Sequence, residues 1–224
     1  MNLGFLFLLN TLFLCPPAIA TNEHVIDHVK SKKLSTEILD KYSAAKFITA
    51  AIEKKDEKLT LGTTSSSSGV IKYSLGKFYL ILESDKKTEL FFKDHKLTLV
   101  DYPDQDFDKE GKRKVTIMSN NIPPFLQSLS NLFSSSKAFF KEFEITESAL
   151  KDGVLHLKLS PRQGNLKDFK IEMNIKDKIL TSVSFIDDVQ TQTTILFKDL
   201  KLNKKIPKNT FEYKILKSDQ VVTQ

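Results

Sequence analysis

The sequence predicts a mainly β protein of the α+β class: a strongly curved antiparallel sheet, or open barrel, with helices across its mouth. Three observations carry that expectation. Alternating apolar and polar residues recur along the chain, most cleanly in LKDFKIEMNIKDK (166–178). There Phe169, Ile171, Met173 and Ile175 share one face, and Lys170, Glu172, Asn174 and Lys176 the other, as a half-buried strand requires. Short turns carrying Asp, Asn, Lys or Gly join these stretches, which favours an antiparallel meander. Only two segments have helical spacing, and roughly ten strands with two helical segments is too much sheet for a flat two-layer packing.

The chain opens on an apolar run, LGFLFLLNTLFL, followed by CPPAIA. The run is too short to span a bilayer and ends in Ala18-Ile19-Ala20, the layout of a cleaved secretory signal over residues 1–20. No Lys or Arg precedes the run, so its positive end is the terminal amine. The sole cysteine, Cys15, lies within this segment. Lipidation there is the alternative to cleavage after Ala20, although Leu14 stands where a small residue is wanted. After cleavage the chain has no thiol, no disulfide and no cysteine metal site. Residues 21–224 are expected to form one domain.

The elements follow in order. Residues 22–42 read as helical, with Val25, Val29, Leu34, Ile38 and Tyr42 at spacings of three to five and Ser35 capping a second short helix. AAKFITAAIEKKDEK reads as a strand. EKLTLGTTSSSSGVIKYSLGKFYLILES reads as two or three strands, broken by the serine run and by Gly69 and Gly76. TELFFKDHKLTLVDY is a hairpin with Asp94-His95 at its turn, and KRKVTIM a short strand. NNIPPFLQSLSNLFSSSKAFF is a single helix, capped by Asn121, with Pro123 and Pro124 in its first turn. Its broad apolar face holds Ile122, Phe125, Leu126, Leu129, Leu132 and Phe133. KEFEIT, GVLHLKLS, DFKIEMNI, KILTSVSFI, TQTTILFKDL and TFEYKI complete the strands.

The formal charge of +6 is carried by scattered lysines, which fits a solvated surface better than a nucleic-acid interface; no nucleic-acid partner is expected. With seven glycines the chain has no phosphate-binding loop, and it lacks G-x-S-x-G, H-E-x-x-H and EF-hand patterns. No cofactor and no enzymatic activity are expected. His24 and His28, one helical turn apart, could share a metal, but no further ligands are suggested by spacing. Asp187-Asp188 and DYPDQDFDKE could supply paired carboxylates, though acidic turns usually solvate loops. His95 falls in a turn and His156 on the outer face of a strand. The 17 phenylalanines and absence of tryptophan point to an aromatic interior, and composition alone favours a packed core over a cavity.

The final third, GNLKDFKIEMNIKDKILTSVSFIDDVQTQTTILFKDLKLNKKIPKNTFEY, resembles the periplasmic outer-membrane lipoprotein carrier family, LolA. The resemblance runs through Gly164, the strand at Phe169, Asp188, Thr193 to Phe197, Asn203, Ile206, Phe211 and Tyr213. Upstream, FFKDHKLTLVDYPDQD, NIPPFLQSL and GVIKYSLGKFYL resemble the family's turn, helix start and strand pair. The resemblance implies an unclosed antiparallel β-barrel of about eleven strands with a helical lid. It implies a monomeric periplasmic chaperone whose hydrophobic cavity carries the acyl chains of lipoproteins. Its partners would be acylated lipoproteins, an inner-membrane ATP-driven exporter that loads it and an outer-membrane receptor that unloads it. Phe78, Leu90, Phe92, Phe169, Ile171, Met173, Ile175, Ile195 and Phe197 would line the cavity, with Phe125, Leu126, Leu129 and Phe133 on the lid. Leu75 and Gly76 replace the family's lid-latching basic residue and proline. Lys72 or Lys77 would then substitute, or the lid would be held by apolar packing alone. The turn glycine is His95, and the two prolines after Tyr213 are missing. The rival readings are the related lipidated outer-membrane receptor, LolB, a periplasmic lipid-binding or sensor module on the same sheet, and a periplasmic hydrolase.

Overall fold

The computed structural model describes residues 23–104, 111–119, 124–164, 166–203 and 205–224. The expected signal segment, Cys15, Asn121, Ile122, Pro123 and most of the DYPDQDFDKE segment lie outside them. Where a helix was expected from residue 22, the chain first makes a short strand, β1 (Glu23–Val25), and then one continuous helix, α1 (His28–Ala44). Ser35 is not a cap but an interior residue. Its hydroxyl bonds back to the carbonyls of Ser31 (2.8 Å) and Lys32 (3.0 Å), which satisfies it without ending the helix. The buried face of α1 is Ser31, Ser35, Ile38, Leu39 and Tyr42.

The first meander comprises β2 (Phe47–Lys58), β3 (Thr63–Ser74), β4 (Lys77–Glu83), β5 (Lys87–Lys93), β6 (Lys96–Asp101) and β7 (Lys114–Ser119). The serine run does not break it: residues 65–68 pair with β2 throughout. Gly69 also stays within the strand, because a Cβ there would fall 1.8 Å from the Ile81 carbonyl oxygen; the glycine marks close strand approach rather than a boundary. Leu75-Gly76 and Asp94-His95 form two-residue turns with positive φ at both positions (46° and 77°, 52° and 59°), the geometry that right-twisted hairpins favour.

Two helices follow where one was expected, α2 (Pro124–Ser134) and α3 (Ser136–Glu142). Ser135 is extended, and its side chain accepts from the Ala138 amide at 3.3 Å, so it caps a new helix instead of continuing the old one. The second meander is β8 (Phe143–Lys151), β9 (Val154–Pro161), β10 (Lys167–Asn174), β11 (Ile179–Ile186) and β12 (Thr191–Asn203). TFEYKI is not a strand. Phe211 instead packs edge-on to Phe47 and Tyr213 lies against Phe91, and the chain ends in β13 (Gln220–Thr223).

The sheet order is β1-β8-β9-β10-β11-β12-β2-β3-β4-β5-β6-β7-β13. The described residues thus give thirteen strands where about eleven were expected, the additions being the short terminal strands at the two edges. The sheet is unclosed. Every pairing is antiparallel except β7 with β13, and the two meanders meet in the ladder between β12 and β2, from Thr191–Lys58 to Asn203–Phe47. The three helices cover one side of this sheet, and the main core lies between. A smaller cluster of Phe91, Val100, Val115 and Ile117 sits on another side, against Tyr79, Tyr102 and Tyr213.

Candidate functional site

The helix-facing side of the sheet changes character along its strands. Across β2 to β6, one row reads Ile48, Tyr73, Phe78, Phe92, Leu97, and the next Ala50, Ile71, Leu80, Leu90, Leu99. Further along, Ile195 pairs with Lys54, and Thr193 with Asp56. The inward positions of β2 therefore run Ile48, Ala50, Ile52, Lys54, Asp56, Lys58, from apolar to charged. The period of two puts all six on one face, and β12 follows suit with Phe197, Ile195, Thr193 and Thr191.

At the charged end a cavity of about 560 Å³ opens. Leu80, Leu82, Leu90, Leu166, Phe185 and Phe125 form its apolar part. Phe125, from the first turn of α2, stacks on Phe185 with ring centres 6.0 Å apart. Phe185 stacks in turn on Phe169 (6.1 Å), and Phe169 packs on Phe143 (4.5 Å). An unbroken line of rings thus leads from the cavity to the core under α3.

The opposite wall is polar. Lys54 and Asp56 form an ion pair with side chains 19% and 25% exposed, and the Thr193 hydroxyl donates to Asp56 Oδ1 at 2.7 Å. Lys58, Asp187, Asp188 and Thr191 extend this wall. Asp187 also accepts from the Val189 and Thr191 amides at 3.1 and 2.8 Å, fixing its own turn.

Of the residues expected to line a cavity, Leu90, on β5, and Phe125, on α2, line this one directly. Phe78, Phe92, Phe169, Ile171, Met173, Ile195 and Phe197 are buried in the core continuous with the cavity, as are Leu126, Leu129 and Phe133 of α2. Ile175 lies just past the end of β10, partly buried against the same core, with its amide bonded to the Gly153 carbonyl at 2.9 Å. The structure brings the named residues together on one side, as the alternation implies. Leu80, Leu82, Leu166, Phe185, Lys54, Asp56 and Lys58 were missed, whereas Asp187-Asp188, singled out as paired carboxylates, stands on the polar wall. Leu80 and Leu82 continue the alternation that starts at Phe78, and Lys54 and Asp56 continue the one that starts at Ile48, so the signal was present.

The contact between strand and lid is neither lysine. Lys72 lies over the Tyr79 ring, 4.7 Å from its centre, and Lys77 opens β4 at the far side of the Leu75-Gly76 turn. Leu75, 77% exposed in its turn, makes no latch. Tyr73 does: its hydroxyl donates to the Ser130 carbonyl of α2 at 3.5 Å and accepts from the Gly76 amide at 3.1 Å. Burial pushes the Tyr73 hydroxyl pKa up, against the smaller effect of the Gly76 amide and the Ser130 and Ser134 hydroxyls. Within the helical layer Ser136 donates to Asp40 (2.5 Å) and Asn131 to Glu142 (2.7 Å), so α1, α2 and α3 are cross-linked.

His24 is on β1 and His28 opens α1, so their expected spacing along one helix does not exist. Among the described residues no group of three or more His, Cys, Asp or Glu is arranged to hold a metal. His156 pairs with Glu172 across β9 and β10 at 3.1 Å. Among the described residues no helix is long and apolar enough to cross a membrane.

Residues 76–214 match the family described as outer membrane lipoprotein carrier protein LolA. An outer-membrane lipoprotein carrier protein of Pseudomonas putida (strain W619) is 26% identical over 190 residues, covering 77% of this chain and 80% of that protein. Similar solved structures include an uncharacterized conserved protein from Thermus thermophilus (10% identity, 84% of this chain and 98% of that one, TM-score 0.47). Another is a LolA superfamily protein from Nitrosomonas europaea (7% identity, 84% and 98%, TM-score 0.37).

Proposed function

The chain belongs to the LolA family of outer membrane lipoprotein carrier proteins, and from that premise we propose that it is a non-enzymatic periplasmic chaperone for the acyl chains of lipoproteins. In this reading residues 21–224 form the mature domain after loss of the signal segment. An inner-membrane ATP-driven exporter loads the protein, and a receptor at the outer membrane takes the cargo. The observation that carries the reading is the cavity whose apolar side opens, through Phe125 and Phe185, into an aromatic interior beneath the helices.

Each methylene removed from water is worth about 0.8 kcal/mol, so an acylated protein does not cross an aqueous space unescorted at a useful rate. A carrier has to offer apolar surface and still release it. At roughly 30 Å³ per methylene, close to a water's share of the liquid, the cavity of about 560 Å³ holds one long acyl chain. Further chains need α2 to lift. The core residues Phe78, Phe92, Phe169, Ile171, Met173, Ile195 and Phe197 would then become acyl contacts, with Leu126, Leu129 and Phe133 moving as the cover. The lid contacts are mostly apolar, so replacing ring contacts by acyl contacts exchanges like for like.

Purification from cell envelopes followed by mass spectrometry tests the reading. Recovery of acylated peptides or lipoproteins is expected, and so is binding of an apolar fluorescent probe. Leu82→Glu, at the edge of the cavity, should weaken the probe about tenfold or more while leaving the fold intact. A delipidated protein that binds neither cargo nor probe overturns the proposal.

A further inference from the structure

We propose that the polar wall of the cavity is a head-group subsite for a neutral amide or ester, selecting acylated ligands of that kind over free fatty acids and alkyl phosphates. The inference rests on the carrier reading and names the ligand chemistry of the same cavity.

Charged side chains are costly in a pocket with an apolar floor unless they meet a partner. Lys54 and Asp56 are three-quarters or more buried at consecutive inward positions of β2, in one cavity with Leu80, Leu82 and Leu90. The ammonium of Lys54 is matched by Asp56, whose other hydrogen bond comes from Thr193. Donors and acceptors therefore alternate along the wall. An amide carbonyl can accept from Lys54, whose ammonium has N–H groups beyond the one on Asp56, and its N–H can donate to a carboxylate oxygen. Its acyl chain then runs onto the leucines and Phe125.

The charge balance excludes the anions. Two lysines, 54 and 58, face three aspartates, 56, 187 and 188, which leaves one negative charge in excess. A carboxylate or phosphate brought here adds to that excess beside an apolar floor, where repulsion is weakly screened. A neutral head adds nothing to it and keeps every hydrogen bond.

The test is displacement of the uncharged dye N-phenyl-1-naphthylamine from the whole protein by three ligands of equal chain length: N-dodecanoylglycinamide, dodecanoate and dodecyl phosphate. In the unaltered protein the amide should displace the dye at a concentration roughly tenfold lower than either anion. Asp56→Asn should narrow that gap by improving the anions, and Lys54→Met should widen it. Equal affinity for all three ligands overturns the subsite while leaving the carrier reading standing, as does a preference that neither substitution moves. A dye that binds no better to the unaltered protein than to Leu82→Glu, with no competition from any ligand, brings down both. The comparison of ligands on the unaltered protein needs no variant to fold.

Discussion

Leu75 shows how much one residue's conformation decides. Its φ of 46° lies where a Cβ crowds the following carbonyl, at roughly 1 kcal/mol or more for an ordinary side chain. The side chain is exposed, so no packing compensates. Asn tolerates this region and with Gly76 gives the preferred two-residue hairpin turn. Leu75→Asn should raise the urea-unfolding free energy by about 1 kcal/mol. Tyr42 is the opposite case, a polar group that burial makes dependable. Its hydroxyl accepts from the Leu180 amide beside a register shift between β10 and β11. Burial pushes its pKa up to about 12, against the smaller effect of that hydrogen bond. A proton held more tightly in the folded than in the unfolded chain stabilises fully below pH 10. That stability disappears as pH rises from about 10 through 12, at roughly 1.4 kcal/mol for each tenfold difference in proton affinity. Urea titrations over this range should show the fall, and Tyr42→Phe should flatten it.

At the scale of the element, what the sequence made legible was whatever local chemistry decides. The Asp94-His95 hairpin and the strand at Phe169 follow from turn residues and alternation. The single-helix reading of 121–140 failed because Ser135 offers its own oxygen to the Ala138 amide, a choice a hydrophobic pattern does not record. Ser135→Ala should cost about 1 kcal/mol by denaturant titration. The serine run failed as a strand breaker because β2 pairs with it residue by residue, with β4 joining at Ser68, and that pairing overrides weak propensity. β1 and β13 were invisible for a related reason: three or four residues become a strand only when an edge is present to receive them. The site divides similarly. Of its apolar half only Leu90 and Phe125 were expected from the sequence; Leu80 and Leu82 lie on the same alternation as Phe78. Its polar half was legible only as a continuation of the β2 alternation from Ile48 to Lys54 and Asp56, and a charged residue at such a position does not signal a cavity until β12 and the helices are in place.

Over the whole molecule, the C-terminal segment acts as a clasp on the far edge. Arg113 bonds Asp219 at 2.9 Å, and Asp219 also accepts from Tyr213 and the Leu216 amide at 2.9 and 2.7 Å. Burial alone would raise the Asp219 pKa; the hydrogen bonds and the Arg113 charge outweigh it and hold the carboxyl below its usual range. Because the folded value is depressed, this contribution is present at neutral pH and is lost as pH falls through it. Asp219→Ala should speed amide exchange in β13 and β7 at neutral pH while leaving β9 and β10 protected. The same sheet order constrains the helices. β7 and β8, between which α2 and α3 run, lie next to opposite edges of the sheet. This segment is therefore a bucket handle rather than a hinged flap: tied at both rims, it can bow or slide but has no free end to swing clear. For the carrier role proposed above, this favours lengthwise entry, chain tip first, from the side where Phe125 meets Phe185.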